Sequence, residues 1–329
     1  MNFQITKRTI ASIVLAILVL GWLVGWYWSR EPDTFDVVEN AHKHSSNSTQ
    51  LVAGQVVTST LIEVTDTLLN KPGGYLANDV MPPSVFLDNM PSWEFGALEM
   101  VRDLALAMRK DFSRSQSQSV ENALLIKAQP KLNIDHKAWL LPSAEGEYGE
   151  AIDMLQSFNS QLGITGASGS QFHTRADNLR DWLKQVEKRM GSLSQKLSAS
   201  VGARRENTDL AGDAVASQST PTPSTFYTRT SWWKLDDNFY EARGATWALL
   251  HFLKAVEVDF ADVLQKKNAQ ASLRQIIREL EATQETVWSP IILNGDGFGI
   301  VANHSLVMAN YISRANAALI ELTELLSQG

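Results

Sequence analysis

No cysteine occurs in the 329 residues of this chain. Disulfides, thiol nucleophiles, thiolate metal sites and a lipid-modified cysteine are therefore excluded. The compartment stays open, because oxidising compartments also hold cysteine-free proteins. Runs of like charge are missing too. With a net charge of -7, the composition carries no electrostatic footprint for nucleic acid. No HExxH and no G-x-S-x-G elbow occur, and no lysine follows a glycine cluster in the manner of a phosphate-binding loop. Ser231 and Lys234 do form S-x-x-K, but the K-T-G that accompanies it in penicillin-recognising enzymes is absent.

What the chain does have is one long apolar run, from Ile10 to Trp28, with Ser12 its only polar member. About 19 residues make roughly 28 Å of helix, enough to cross a bilayer core. Trp22, Trp26, Tyr27 and Trp28 crowd its far end, where amphipathic rings favour the membrane interface. Lys7 and Arg8 precede the run, while Glu31, Asp33, Asp36 and Glu39 follow it. Basic residues resist translocation, so the expected topology is a cytoplasmic N-terminus and a body on the opposite side of a bacterial inner membrane, in the periplasm. "WYWSR" offers no small-residue cleavage site, which favours a retained anchor over a removed signal peptide.

Beyond the anchor, residues 31–54 are polar and read as a tether. Residues 55–202 and 231–329 read as two halves of a helical body, separated by a low-complexity stretch at 203–230. The core of that stretch, 203–225, has almost no large apolar residue and is expected to be disordered. Val57, Leu61, Val64 and Leu68 follow helical spacing until "KPGG". Ser92 is the expected cap of a helix carrying Phe95, Leu98, Val101, Ala105 and Met108 on one stripe. Ser119 is expected to open a helix that Pro130 stops, and Ser143 one that bears Tyr148, Ile152, Leu155, Phe158 and Leu162 and ends at Gly163. Leu179, Leu183, Val186, Met190, Leu193 and Leu197 alternate steps of four and three, a coiled-coil-like seam about three heptads long. One long helix from Leu235 to Val263, another up to Trp288 and a last one rich in alanine complete the chain. The predicted fold class is all-α: a transmembrane helix followed by a multi-helix bundle with a coiled-coil-like hairpin.

"GGYLANDVMPPSVFLDNMPSWEFG" (73–96) is the densest stretch, with turn formers, aromatics and carboxylates together. Tyr75, Asp79, Asp88, Trp93 and Glu94 are its candidate binding residues. They would form a glycan or peptide groove, with carboxylates for acid–base work on an envelope polymer. The competing expectation is a structured joint between helices. "NGDGFG" (294–299) carries only Asp296 as an acidic ligand, too few for a calcium loop, and reads as a turn. His42 and His44 could join Glu39 on a surface metal, whereas His251 reads as a buried core imidazole and His304 as part of a helix cap. No catalytic residue, metal or cofactor is assigned. The expected partners are the lipid bilayer, through residues 10–28, and an envelope protein; a homo-oligomer is compatible with the seam.

"MRKDFSRSQSQS", "RADNLRDWLKQVEKRMGSLSQKLSASVG", "FYEARGATWALLHFLKAVE", "SLRQIIRELEATQ" and "SPIILNGDGFGIVANHSLVMANYISRANAALIEL", together with the 73–96 string, resemble a proteobacterial family of single-span inner-membrane proteins catalogued as domain of unknown function 2333. The likeness runs from the anchor to the last helix. It implies a Gram-negative envelope protein with one module outside the membrane, and it brings no assigned activity or site residue. The reading that results is a membrane-anchored periplasmic adaptor or scaffold, with an envelope enzyme or glycan-binding protein as the alternative.

Overall fold

In the computed structural model, residues 7–44, 51–115, 119–162, 164, 170–206, 223 and 225–328 are described. Eleven α-helices run through them: α1 (Lys7–Trp28), α2 (Val37–His44), α3 (Gln55–Asn70), α4 (Asn89–Ala107), α5 (Ala123–Leu132), α6 (Ala144–Leu162), α7 (Ala176–Ser198), α8 (Leu235–Asp259), α9 (Ala261–Lys266), α10 (Gln270–Ala282) and α11 (His304–Ser327). The class is all-α. α1 has a mean hydropathy of 2.3 over its most apolar window and is long and apolar enough to cross a membrane. Of its residues only Gly25 is buried.

α4 and α8 form the centre of the body. They pack backbone to backbone at two glycines. A Cβ on Gly244 would overlap the carbonyl oxygen of Trp93, and one on Gly96 would overlap that of Glu241. Gly costs helix propensity, and here the absence of a side chain is what permits the crossing. Around this pair, α3 packs on α6, α8 and α2, α5 pairs with α6, and α10 lies on α11 and α8. One hydrophobic cluster runs from Val37 through Leu326, so the halves on either side of residues 203–230 share a core.

The α7 seam is buried throughout, from Leu179 to Leu197. It lies along α11, a helix remote in sequence, rather than along a neighbour joined by a hairpin turn. The two run antiparallel: Gly191 faces Asn316, and Ser194 Oγ meets Ser313 Oγ at 2.6 Å.

Several expectations are corrected. The polar stretch after α1 is docked over its first part, because Asp36 caps α2 through the N–H groups of Val38 and Glu39 and thereby turns Val37 and Ala41 into the core. α4 begins before Ser92, with Asp88 accepting from Asn89 N at 3.0 Å. Pro91 fits in its first turn, where a missing N–H forfeits no intrahelical bond. α5 begins later than Ser119, on an Asn122 cap, and continues past Pro130 to Leu132. A break at Phe260, which turns into the core, separates α8 from α9. α10 ends at Ala282 rather than near Trp288, because the Arg243 guanidinium takes the carbonyls of Thr283, Gln284 and Glu285. Residues 203–206 pair antiparallel with 225–228 as two short strands, β1 (Ala203–Glu206) and β2 (Thr225–Thr228). The rest of the stretch expected to be disordered, 207–222 and 224, lies outside the described residues, as does Gly163.

Candidate functional site

The five candidate residues of the 73–96 stretch do not line one groove. Trp93 is fully buried with its ring 5.1 Å from Trp247. Glu94 is fully buried as well, facing Lys71 Nζ at 2.5 Å in an ion pair closed to solvent. Its carboxylate accepts from Leu76 N at 2.9 Å and Ala77 N at 2.7 Å, and Lys71 also donates to Gly74 O. Burial pushes the Glu94 carboxyl up; Lys71 and the two backbone donors pull it back. Every strong acceptor direction of Glu94 is thus spent on holding the 71–77 turn. Tyr75 is buried beside it, edge-on to Tyr148 at 5.6 Å, and donates to His136 O at 3.1 Å. Burial raises its phenol beyond the usual range.

Asp79 and Asp88 are exposed and lie at the two ends of the segment 80–87. Asp88 caps α4 and stands near Asp237, whose carboxyl is raised by burial first and by the Asp88 charge second. The structure therefore brings Tyr75, Trp93 and Glu94 into the interior and leaves Asp79 and Asp88 outside. The joint is the arrangement the geometry supports.

That joint connects the body to α1. Gly73, at φ 88°, admits the Trp28 ring so closely that a Cβ there would stand 2.7 Å from Trp28 Cγ. A Cβ on Gly25 would meet Leu87 at 3.6 Å and Pro83 at 3.9 Å. Just past α1, Glu31 pairs with the buried Arg243 at 2.5 Å, so the same guanidinium that ends α10 also holds the exit of α1. Phe35 stacks on His251 at 4.1 Å, and its N–H donates to His251 Nε2 at 3.0 Å. Since His251 Nδ1 faces Trp247 O at 2.7 Å, the ring is neutral with its proton on Nδ1. Burial lowers its pKa to about 4. A cavity of about 610 Å³ opens between Gly21, Trp22 and Trp26 of α1 and Pro82, Pro83 and Phe86 of the loop.

Sequence reasoning missed the pairing of Lys71 with Glu94, Arg243 with Glu31, and His251 with Phe35. Asp259 was also missed: it is half-buried at the end of α8, accepts from Val57 N at 2.7 Å, and its carboxyl is raised to about 6 by desolvation. A signal for Glu94 existed, because it stands four residues before Leu98 and seven before Val101, on the buried face. His44 lies 3.4 Å from Glu63, and no group of three metal-ligating side chains occurs among the described residues. The "NGDGFG" turn is built as a closed loop. Asp296 Oδ1 accepts from Phe298 N at 3.0 Å, Gly295 N donates to Ala302 O at 3.0 Å, and Asn303 Nδ2 donates to Gly295 O at 2.6 Å. Asn303, rather than His304, caps α11 through Leu306 N.

No curated protein and no solved structure matches the chain. The model of one family, described as "Uncharacterized protein conserved in bacteria (DUF2333)", matches residues 2–329. Spanning α1, the joint and the last helix in one match, that family is the one to which this chain belongs.

Proposed function

We propose that the protein is an adaptor of the bacterial envelope. In this reading α1 is a retained inner-membrane anchor with its N-terminus in the cytoplasm, and the helical body stands in the periplasm and holds a second envelope protein. The charge bias of Lys7 and Arg8 at the start of the helix against Glu31, Asp33 and Asp36 after it supports that orientation. The observation that carries the adaptor role is the loop between α10 and α11. Its base is fixed by the hydrogen bonds of Asn294, Gly295 and Asn303, while Phe298 and Ile300 at its tip are fully exposed. A single exposed apolar residue is ordinary, but two aromatic or branched side chains lifted clear of the core by a hydrogen-bonded loop are the material of a protein contact.

The test is in-cell photocrosslinking of the full-length protein from a photoreactive residue at position 298 or 300. A discrete adduct of one envelope protein is the expected product. Absence of any protein adduct at both positions, with the protein folded and in the membrane, would remove the adaptor reading, and an adduct of twice the chain's mass would replace it by self-association. A periplasm-only reporter fused after Arg30 checks orientation separately; activity only inside the cell would reverse it.

A further inference from the structure

We infer that the segment 80–87, together with the loop at 139–141, is inserted in the outer face of the same bilayer that α1 enters, so that the body is seated on the lipid surface at several points. This rests on the reading of α1 as a membrane anchor.

Between Asp79 and Asp88 the sequence is VMPPSVFL, with no charge. Its one hydroxyl, Ser84 Oγ, is buried and turned onto Met81 O at 2.6 Å. Pro82 and Pro83 have no N–H, and the N–H groups of Val85, Phe86 and Leu87 are bonded within the segment, to Met81, Pro83 and Ser84. A short loop with five of its eight backbone N–H positions either bonded internally or absent is suited to a low-dielectric surface. Its outward side chains are apolar: Met81 is 70% exposed and Phe86 77% exposed.

Position supplies the occupant. Pro82, Pro83 and Phe86 form one wall of the cavity whose other wall is Gly21, Trp22 and Trp26 of α1. Trp22 stands six residues before the end of α1, about 9 Å along its axis. The loop therefore runs back alongside the anchor to the depth at which interfacial apolar side chains enter a bilayer, roughly 5–10 Å. Nothing within 4 Å would meet a Cβ on Gly21, so the notch beside it is open to whatever surrounds α1. The surroundings of a spanning helix are acyl chains.

A second apolar tip is tied to the first. Asn78 Nδ2 donates to Ala138 O at 2.8 Å and to Glu145 Oε2 at 2.8 Å, and Tyr75 binds His136 O. Between those fastenings stand Trp139, Leu140 and Leu141, the last 93% exposed. Fastened to the base of the first segment, this tip adds an aromatic ring of the kind that favours the interface. The Lys71–Glu94 pair and the Trp28–Gly73 contact thus frame the first tip beside α1, and Asn78 fastens the second tip to its base.

The natural lack of cysteine makes the test direct. Full-length protein carrying single cysteines at Leu18, Phe86, Leu141 or Ser157, labelled with an environment-sensitive fluorophore, is placed in phosphatidylcholine–phosphatidylglycerol nanodiscs. Ser157 is exposed on α6, about 20 Å from that helix's start. Labels at 18, 86 and 141 are expected to lose at least half their emission to acyl-chain nitroxide lipid, and only the label at 157 to be quenched by aqueous iodide. Quenching by lipid at 18, with 86 and 141 behaving like 157, overturns the insertion while leaving the anchor intact. Loss of lipid quenching at 18 as well overturns the anchor itself. Protection of 86 from iodide in native membranes but not in nanodiscs assigns the segment to a protein and also overturns the proposal.

Discussion

The crossing of α4 and α8 and the loop rim beside α1 handle apolar surface in opposite ways. At the crossing, side chains are removed so that two backbones touch, and the charged pair Lys71 and Glu94 is sealed with every polar direction used. At the rim Phe86 and Leu141, and on a separate loop Phe298 and Ile300, are held outward, and the N–H groups of Phe86 and Phe298 are bonded within their own turns. Folding accounts for the first region. The second costs the isolated chain apolar exposure and returns nothing to its core, so its apolar side chains are explained by something outside the chain.

The comparison breaks most easily at the glycines. Gly244→Ala or Gly96→Ala places a methyl group on a carbonyl oxygen of the facing helix, which a backbone cannot avoid by a rotamer change. The expected loss is about 4 kcal/mol or more, seen as a collapsed melting transition of the full-length protein. Either variant melting like the wild type would mean that the crossing is looser than described and that the centre of the fold lies elsewhere.

Next in size is the sealed pair. Lys71→Met leaves the Glu94 carboxylate buried with only its backbone donors, at an expected cost of about 3 kcal/mol near neutral pH. Burial already raises the Glu94 carboxyl, and removing Lys71 raises it further. A raised carboxyl stabilises the fold at low pH and loses that contribution as pH rises through its folded value, so the deficit of the variant must shrink on acidification. A deficit that stays constant from pH 4 to 7 would show that packing by the lysine chain, not charge, is what the site needs.

A smaller and sharper effect belongs to Asp259 and His251. Asp259 is raised to about 6, so below its unfolded value near 4 its contribution is complete, and it is lost as pH climbs through 6. His251 is lowered to about 4, so its contribution is complete above 6.5 and is lost as pH falls towards 4. The two oppose each other across one window. Asp259→Asn keeps an acceptor for Val57 N but does not titrate. Its stability relative to wild type should therefore rise by on the order of 2 kcal/mol between pH 4 and 7, measured as a difference in Tm at each pH. A pH-independent difference would place Asp259 in contact with water.

The seam of α7 was legible residue by residue, because a single buried face imposes its period on the sequence. So was α1, a helix long and apolar enough to cross a membrane, because an unbroken apolar run is read directly from composition. The contacts that build the joint were not. Lys71 sits in "KPGG" and reads as punctuation, Gly244 interrupts helix propensity, and nothing in the sequence pattern singles out Arg243. Each gets its role from a partner distant in sequence: Glu94, Trp93 and Glu31. Of the candidate site, composition located the right segment, but it credited Tyr75, Trp93 and Glu94 to a surface they do not reach. Of the apolar residues between the two aspartates, Val80, Met81, Val85 and Phe86 are the ones left outside.

The smallest effect on stability is the most telling for the rim. Phe86→Ser and Leu141→Ser remove large apolar side chains, yet in detergent-free comparison of the folded body each should change stability by no more than about 0.5 kcal/mol, because neither side chain has core neighbours to lose. The same exchange at the fully buried Leu98 should cost about 3 kcal/mol. If Phe86→Ser also lowered Tm by several degrees, the rim would be part of the core's packing and the contrast between the regions would disappear. If it left Tm in place, the large apolar surface at 80–87 would be shown to serve no purpose within the folded chain, and its use would have to be sought in the medium or the partner that meets it.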